Sequence, residues 1–387
     1  MPASAILPSQ RDQFDIPRHV AYLNASSWSP LPLACQEAGR IGVARKGQPW
    51  RIDNDFAVAQ HERARRSAAA LIGAEAEDVA LIPSVSYAAA TVGKLLAIPA
   101  RSRVLVLQDD HSSPVLEWHT RSAAQGFTVE AVAQPADGNW TRAMLAAIDR
   151  PGALPLALAS VSSVHWSDGC VLDLDRIAPA LRNTGAMLLV DATHGAGMMD
   201  IDVRRLDPDF LVFPTYKWVL GPYGRAFLYI ARRHQDGVPL EQTGFGRRAI
   251  ASDRAPYMRD TAYVSGARRF DMGERDHFVS LEMAAIGMEM MAAWGQKAIE
   301  ARLAMLTGRL AAGLEDIGLQ MPHPALRAPH ILSLGFPNGM PEGLIGRLEA
   351  ADVHVAPRLG RMRISPHVYN DEADVDRFLD VFRDAIC

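Results

Sequence analysis

Two ionisable residues of opposite sign each follow a short apolar run. Asp191 comes directly after Met187-Leu188-Leu189-Val190, and Lys217 four residues after Phe210-Leu211-Val212-Phe213. A neutral lysine amine condenses with an aldehyde to a Schiff base, and a carboxylate can hold a heterocyclic nitrogen in its protonated form. Either residue alone reads as a turn cap or a solvated surface charge. The setting of Lys217 argues otherwise: it lies between Tyr216 and Trp218, just ahead of Gly221-Pro222-Tyr223-Gly224. Apolar neighbours lower an amine's pKa and so keep it nucleophilic. One cofactor needs both groups. Pyridoxal phosphate takes a lysine at its aldehyde and a carboxylate at its ring nitrogen, and the protonated ring draws electrons from a substrate α-carbon.

The two runs are near-continuously apolar, as strands buried on both faces are. Ligands of open α/β sheets sit beyond the carboxyl ends of such strands, so the acid and the amine are carried to one rim. Further strands are predicted at Val79–Ile82, Arg103–Leu107, Phe127–Val132, Leu154–Ser160 and Arg225–Ala231. Helices are predicted over Asp55–Ile72, from Pro83 onward, and in one piece from Phe278 to about Leu314. A smaller C-terminal unit follows, with strands near Ile331–Leu334, Val353–Ala356 and Met362–Ile364 and helices at Pro341–Ala351 and Asp371–Ile386. The expected division is an N-terminal arm (1–30), a large cofactor-binding domain (31–275) and a small α+β domain (276–387).

A net charge of −4 leaves no electrostatic footprint for nucleic acid. The cluster Arg63, Arg65 and Arg66 reads as a solvated helix face. Cys35, Cys170 and Cys387 are far apart without a CxxC pair, which argues against a disulfide framework or a zinc site. The start lacks a basic segment leading into an apolar core, and no apolar run approaches membrane-spanning length. A cytoplasmic protein is expected.

Val190-Asp191-Ala192-Thr193-His194-Gly195-Ala196-Gly197, continuing through Pro214-Thr215-Tyr216-Lys217-Trp218 to Ile230, resembles the core of the class V aminotransferase family. A second stretch, Arg363-Ile364-Ser365-Pro366-His367-Val368-Tyr369-Asn370, resembles the same family. These are fold-type-I pyridoxal phosphate enzymes, among them aminotransferases, cysteine desulfurases, kynureninases and epimerase-like members. The resemblance implies a large domain with a mostly parallel seven-stranded sheet between helices, a smaller C-terminal domain, and a homodimer with active sites at its interface.

The resemblance also implies roles for particular residues. Lys217 would hold the cofactor and then act as the general acid/base; Asp191 would face the ring nitrogen. His111, a few residues before Trp118, matches the residue stacked on the ring. His165 and His194 would converge on the O3′ side; no carboxylate or cysteine at ligand spacing joins them, so no metal is expected. Ser86, with Tyr87 one step off, matches the phosphate-binding loop, together with Thr215 and Tyr216. Without the family, Ser84 and Ser86 read as ordinary N-caps. Arg363 would pair with the substrate α-carboxylate, for which a guanidinium fork is suited. Arg358 is a second candidate there, and Asn24 and Trp28 could line the substrate pocket. Phe270-Asp271-Met272-Gly273-Glu274 matches a motif that ordinarily ends Gly-Thr and reaches the partner's phosphate. Glu274 departs from it, and Arg275 is the candidate replacement.

The expected reaction is on an α-amino acid, transamination foremost. β-Elimination of a C–S or C–C bond of kynureninase type, or epimerisation, are the alternatives. Persulfide-forming desulfuration is disfavoured, because Val353–Met362 carries no cysteine. A non-catalytic nucleotide-binding or regulatory α/β protein would leave Asp191 and Lys217 unexplained. The loop Gln242–Arg248 also lacks the third glycine of a dinucleotide fingerprint.

Overall fold

The computed structural model describes residues 6–250 and 255–386, so Arg254 and Cys387 lie outside the described residues. A two-residue strand β1 (Ala21–Tyr22) precedes helices α1 (Leu33–Lys46) and α2 (Asn54–Leu71). Strands and helices then alternate: β2 (Val79–Ile82), α3 (Val85–Leu95), β3 (Arg103–Leu107), α4 (Ser112–Gln125), β4 (Thr128–Val132), α5 (Trp140–Ile148) and β5 (Leu156–Ser162). The alternation continues through α6 (Leu174–Thr184), β6 (Met187–Asp191), α7 (Val203–Leu206), β7 (Phe210–Pro214) and β8 (Ala226–Ile230). An antiparallel pair, β9 (Arg247–Ile250) and β10 (Met258–Tyr263), leads to α8 (Ser280–Trp294) and α9 (Gln296–Ala312). The chain ends with β11 (Leu332–Gly335), α10 (Leu344–Ala350), β12 (Val353–His354), β13 (Ala356–Arg358), β14 (Arg361–Ile364) and α11 (Glu372–Ile386). No helix among the described residues is long and apolar enough to cross a membrane.

Seven strands form one sheet in the order β2-β8-β7-β6-β5-β3-β4, parallel except for β8, which runs against both neighbours. This is the fold class expected from the sequence. The registers Ser162↔Asp191 and Asp191↔Val212 bring the carboxyl ends of β5, β6 and β7 to one rim. Strand order reverses between β3 and β5, so the loops leaving those two strands part and open a crevice. Side chains alternate between the two faces, as the strand period requires. Leu188, Val190, Leu211 and Phe213 enter the core under one layer of helices. Leu189, Phe210 and Val212 enter the core under the other.

A third apolar core lies between α9, α11 and the three-stranded sheet β11-β14-β13. The N-terminal segment belongs to it: β1 pairs with β12, and Phe14 and Leu23 are buried there. The residues after Lys217 are divided between cores. Trp218 and Leu220 join this third core, whereas Val219 joins the core beneath the large sheet.

Three expectations are corrected. Arg65, expected on a solvated helix face, is buried and paired with Asp271. The single helix from Phe278 to Leu314 is two helices, because Gly295 takes φ +82, a left-handed conformation that ends α8. The strand expected at Leu154–Ser160 runs instead over Leu156–Ser162. Ser162 therefore stands at the rim, while Ser160 is buried and bonds the Pro114 carbonyl. Gly287 of α8 packs directly on the lysine loop: a Cβ there would lie 2.5 Å from the Val219 carbonyl oxygen.

Candidate active site

The end of β6 delivers Asp191, and the turn after β7 delivers Lys217; both are buried. The turn is closed by backbone bonds from Gly221 N to Thr215 O and from Thr215 N to Arg225 O. Asp191 and Lys217 line one narrow pocket with Val85, His111, Ser113, Ser162, Trp166, Thr193, His194, Pro214 and Tyr216. It opens past His111, Trp166, Tyr216 and Lys217, which line both, into a cleft of about 200 Å3 that adds Ser27, Trp28, Tyr223, Arg358 and Arg363.

Burial, with Arg363 and Arg358 nearby, lowers the Lys217 ammonium to about 7. Asp191 accepts the Thr193 N–H at 2.8 Å, and burial pushes its carboxyl up. His194 is fully buried. Its Nδ1 accepts the Trp218 indole N–H at 2.9 Å, and its Nε2 lies 3.5 Å from Lys217 Nζ. Burial and the neighbouring Lys217 keep His194 neutral. His111 caps α4, accepting the Ser113 N–H on Nδ1 at 3.3 Å. Its ring sits edge-on to Trp166, with centroids 5.7 Å apart. Burial, with Lys217 nearby, lowers its pKa.

On the cleft side, Arg363 is buried and donates to the Trp166 carbonyl at 2.5 Å and to Ser27 Oγ at 2.9 Å; its Nε has no partner. Burial lowers its guanidinium to about 9. Arg358 donates to the same Ser27 Oγ at 2.8 Å. Trp28 stacks on Tyr223 at 4.9 Å, and Tyr216 meets Tyr223 edge-on at 4.7 Å.

Six expected residues do not line either compartment. Ser86 is exposed on the first turn of α3, and its neighbour Val85 lines the pocket instead. Tyr87 stands beside Glu241, whose carboxylate together with burial raises the phenol. The Thr215 hydroxyl donates to the Pro222 and Arg225 carbonyls, holding the turn rather than facing the pocket. His165 stacks on Trp140 at 4.9 Å and bonds the Gln108 carbonyl and Ser167, outside both compartments. Asn24 pairs by its backbone with Ser365, and Ser27 takes the place in the cleft. Arg275 is bound within its own chain, donating to Asp271 at 2.6 Å and covering the Phe245 ring. Glu274, at φ +52, lines a separate cleft with Arg225 and His277.

The sequence reading missed three residues. Trp166 lines both compartments, and its indole donates to the Asp109 carbonyl at 2.7 Å. Ser27 ties the two arginines. Asp110 is a second carboxyl of the region, half-buried, pushed up to about 6 by desolvation and held by Ser162 Oγ at 2.7 Å and the His111 N–H at 2.7 Å. Its position after β3, at the strand-order reversal, was the one available signal.

The residues present fit pyridoxal phosphate. Among the described residues no ion pair reaches Asp191 or Lys217, so a buried acid and a buried amine share one pocket without direct counter-charges. A protonated pyridine nitrogen and an aldehyde carbon complete that set. The raised carboxyl of Asp191 is that of an acid short of a cation, and a pyridinium against it reverses the shift. The first turn of α3, at Val85, presents unpaired backbone N–H groups suited to a phosphate.

Comparison with known proteins agrees. The aminotransferase class-V family model matches residues 52–378. An uncharacterised aminotransferase of Bacillus subtilis, YcbU, is 28% identical over 358 residues, covering 87% of this chain and 85% of its own. A kynureninase of Burkholderia mallei is 27% identical over 405 residues, covering 97% and 91%. Among solved structures, an apo cysteine desulfurase from Thermococcus onnurineus superposes with a TM-score of 0.83 at 22% identity, covering 97% and 96%. The cystine C–S lyase C-DES superposes at 0.84 with 18% identity, covering 95% and 98%. Both structural likenesses bear on the fold.

Proposed function

The chain belongs to the class-V aminotransferase family of pyridoxal phosphate-dependent enzymes, and from that premise we propose that it is an aminotransferase of an α-amino acid. The observation that carries this reading is Lys217, a buried amine lowered to about 7, set in one pocket with Asp191 and within the field of Arg363. When bound, the cofactor supplies an electron sink for the bond broken at the substrate α-carbon. Asp191 holds the ring nitrogen's proton. Lys217, neutral near physiological pH, binds the cofactor and moves the α-proton. Arg363 anchors the α-carboxylate through its fork and so fixes which α-carbon bond faces Lys217. His111 and Trp166 wall the pocket, and Tyr216 stands at its mouth.

A lyase reading of kynureninase type uses the same residues, and the kynureninase relative supports it. Persulfide chemistry is disfavoured by the two thiols among the described residues. Cys35 and Cys170 are both buried, and burial pushes Cys35 up to about 12 and Cys170 further in the same direction. The proposed assembly is a cytoplasmic homodimer.

The test is colour followed by products. Purified protein is expected to be yellow, to lose that absorbance on borohydride reduction, and to carry the reduced adduct on Lys217 by peptide mass spectrometry. Incubation with an amino-acid panel should yield keto acid only when a keto-acid acceptor is present. Keto acid or alanine released without an acceptor would replace transamination with the lyase reading. Protein that gains no absorbance from added pyridoxal phosphate would overturn both.

A further inference from the structure

The register of the small sheet sets Arg358, Arg361 and Arg363 on one face, with Ala356 opposite Arg363 and Arg361 opposite Arg358, while Pro357 and Met362 take the other. Arg361 turns away to Ser333 and the Gln320 carbonyl, which leaves Arg358 and Arg363 to line the cleft. Both reach the same acceptor, Ser27 Oγ, at 2.8 and 2.9 Å. Their donor nitrogens are therefore no farther apart than those two distances together. Neither guanidinium has a carboxylate partner among the described residues, and no Asp or Glu lines the cleft. Two like charges brought this close without an acid between them repel one another. A neutral hydroxyl offers one weak acceptor where two charge-assisted forks could each take a carboxylate.

The substrate α-carboxylate accounts for Arg363 alone. We propose that Arg358 is the specificity-determining residue for a second carboxylate, so that the enzyme takes amino acids with a short acidic side chain. This rests on the proposed function for the assignment of Arg363 to the α-carboxylate. The aromatic residues of the cleft do not compete for that role. Trp28 and Tyr223 lie nearly parallel, 20° apart with centroids at 4.9 Å, so their faces cover each other and leave no slot for a third ring. They line one wall of the cleft beside the two arginines.

The test is equilibrium binding of substrate-like acids to the holoenzyme, read by calorimetry and by fluorescence of Trp28 and Trp166 in the cleft. Succinate, with two carboxylates, is compared with butyrate, which has a methyl group in place of one. Succinate is expected to bind about tenfold more tightly or better. R358A should reduce succinate to the level of butyrate while leaving butyrate unchanged, R358K should restore part of the preference, and R363A should weaken both acids. With amino acids, R358A should raise KM for aspartate or glutamate far more than for asparagine or glutamine. Equal binding of succinate and butyrate by the native protein overturns the proposal, as does an R358A variant that weakens both acids alike. The cofactor reading is scored separately by visible absorbance. A colourless protein that still prefers succinate would sink that reading and leave only the two-carboxylate preference of the cleft, whereas a yellow protein without that preference would sink this one alone.

Discussion

His194 stands between Trp218 and Lys217, taking the indole N–H on Nδ1 and turning Nε2 toward the lysine Nζ. A neutral imidazole that accepts on one nitrogen carries its proton on the other. The group facing Lys217 is thus an N–H, which a neutral amine can accept and an ammonium cannot. At 3.5 Å the contact is weak, but its sign agrees with burial and with the field of Arg363.

This sets a pH dependence. Lys217 is lowered from 10.5 to about 7, so it is protonated and inert below that pH and nucleophilic above it. Attachment of pyridoxal phosphate to the apo-protein, followed by absorbance, should rise through pH 7 and level off. Arg363 lowers this value, so R363Q should move the midpoint upward; Asp191 raises it, so D191N should move it downward. A midpoint that R363Q leaves in place would remove Arg363 from the lysine's surroundings.

Stability should depend on a second charged group at some remove from the chemistry. Asp271 and Arg65 pair at 2.7 Å with both side chains wholly buried, and Asp271 also accepts the Leu81 N–H of β2 at 2.9 Å. Removing Asp271 leaves Arg65 only Glu62, at 3.2 Å, as a counter-charge and takes from Arg275 its 2.6 Å partner. D271A should cost about 3–5 kcal/mol in urea unfolding of the apo-protein. A loss below about 1 kcal/mol would mean that water reaches Arg65.

Gly287 gives a third prediction. Its missing side chain lets α8 approach the carbonyl of Val219, next to Leu220, which is held at φ +58. G287A forces the helix or the lysine loop to yield, at about 1–3 kcal/mol. The loop should give way first. The expected result is loss of cofactor occupancy at temperatures where circular dichroism still reports folded protein. Full occupancy with an unchanged melting temperature would contradict the packing described.

Asp191 and Arg363 were legible because each lies in a regular strand, where the direction of a side chain is set by parity, and Lys217 because the turn that carries it directly follows one. The errors fall where parity lapses. In the loop after β5 the chain turns back on itself through the His165 N to Cys170 O bond, so His165 points into the Trp140 layer and its neighbour Trp166 faces the pocket. In the entry segment, Asn24 and Ser27 exchange roles for the same reason. Thr215 was assigned by residue type, yet a hydroxyl beside a free carbonyl closes a turn more readily than it waits for a ligand; at the start of α3 the capping hydroxyl is that of Ser84 rather than Ser86. The break at Gly295 was visible as a glycine, but helical periodicity on both sides concealed it.

The alternation of Trp218, Val219 and Leu220 between two cores bears on how the molecule could be divided. Trp218 is sandwiched by His330 at 4.4 Å and His367 at 5.6 Å, both supplied by the C-terminal third of the chain. A fragment ending before His330 would keep the whole seven-stranded sheet and every residue of the inner pocket. It would nonetheless lose the rivet that seats the reactive amine. Seating of the lysine loop is in that sense a property of the intact polypeptide.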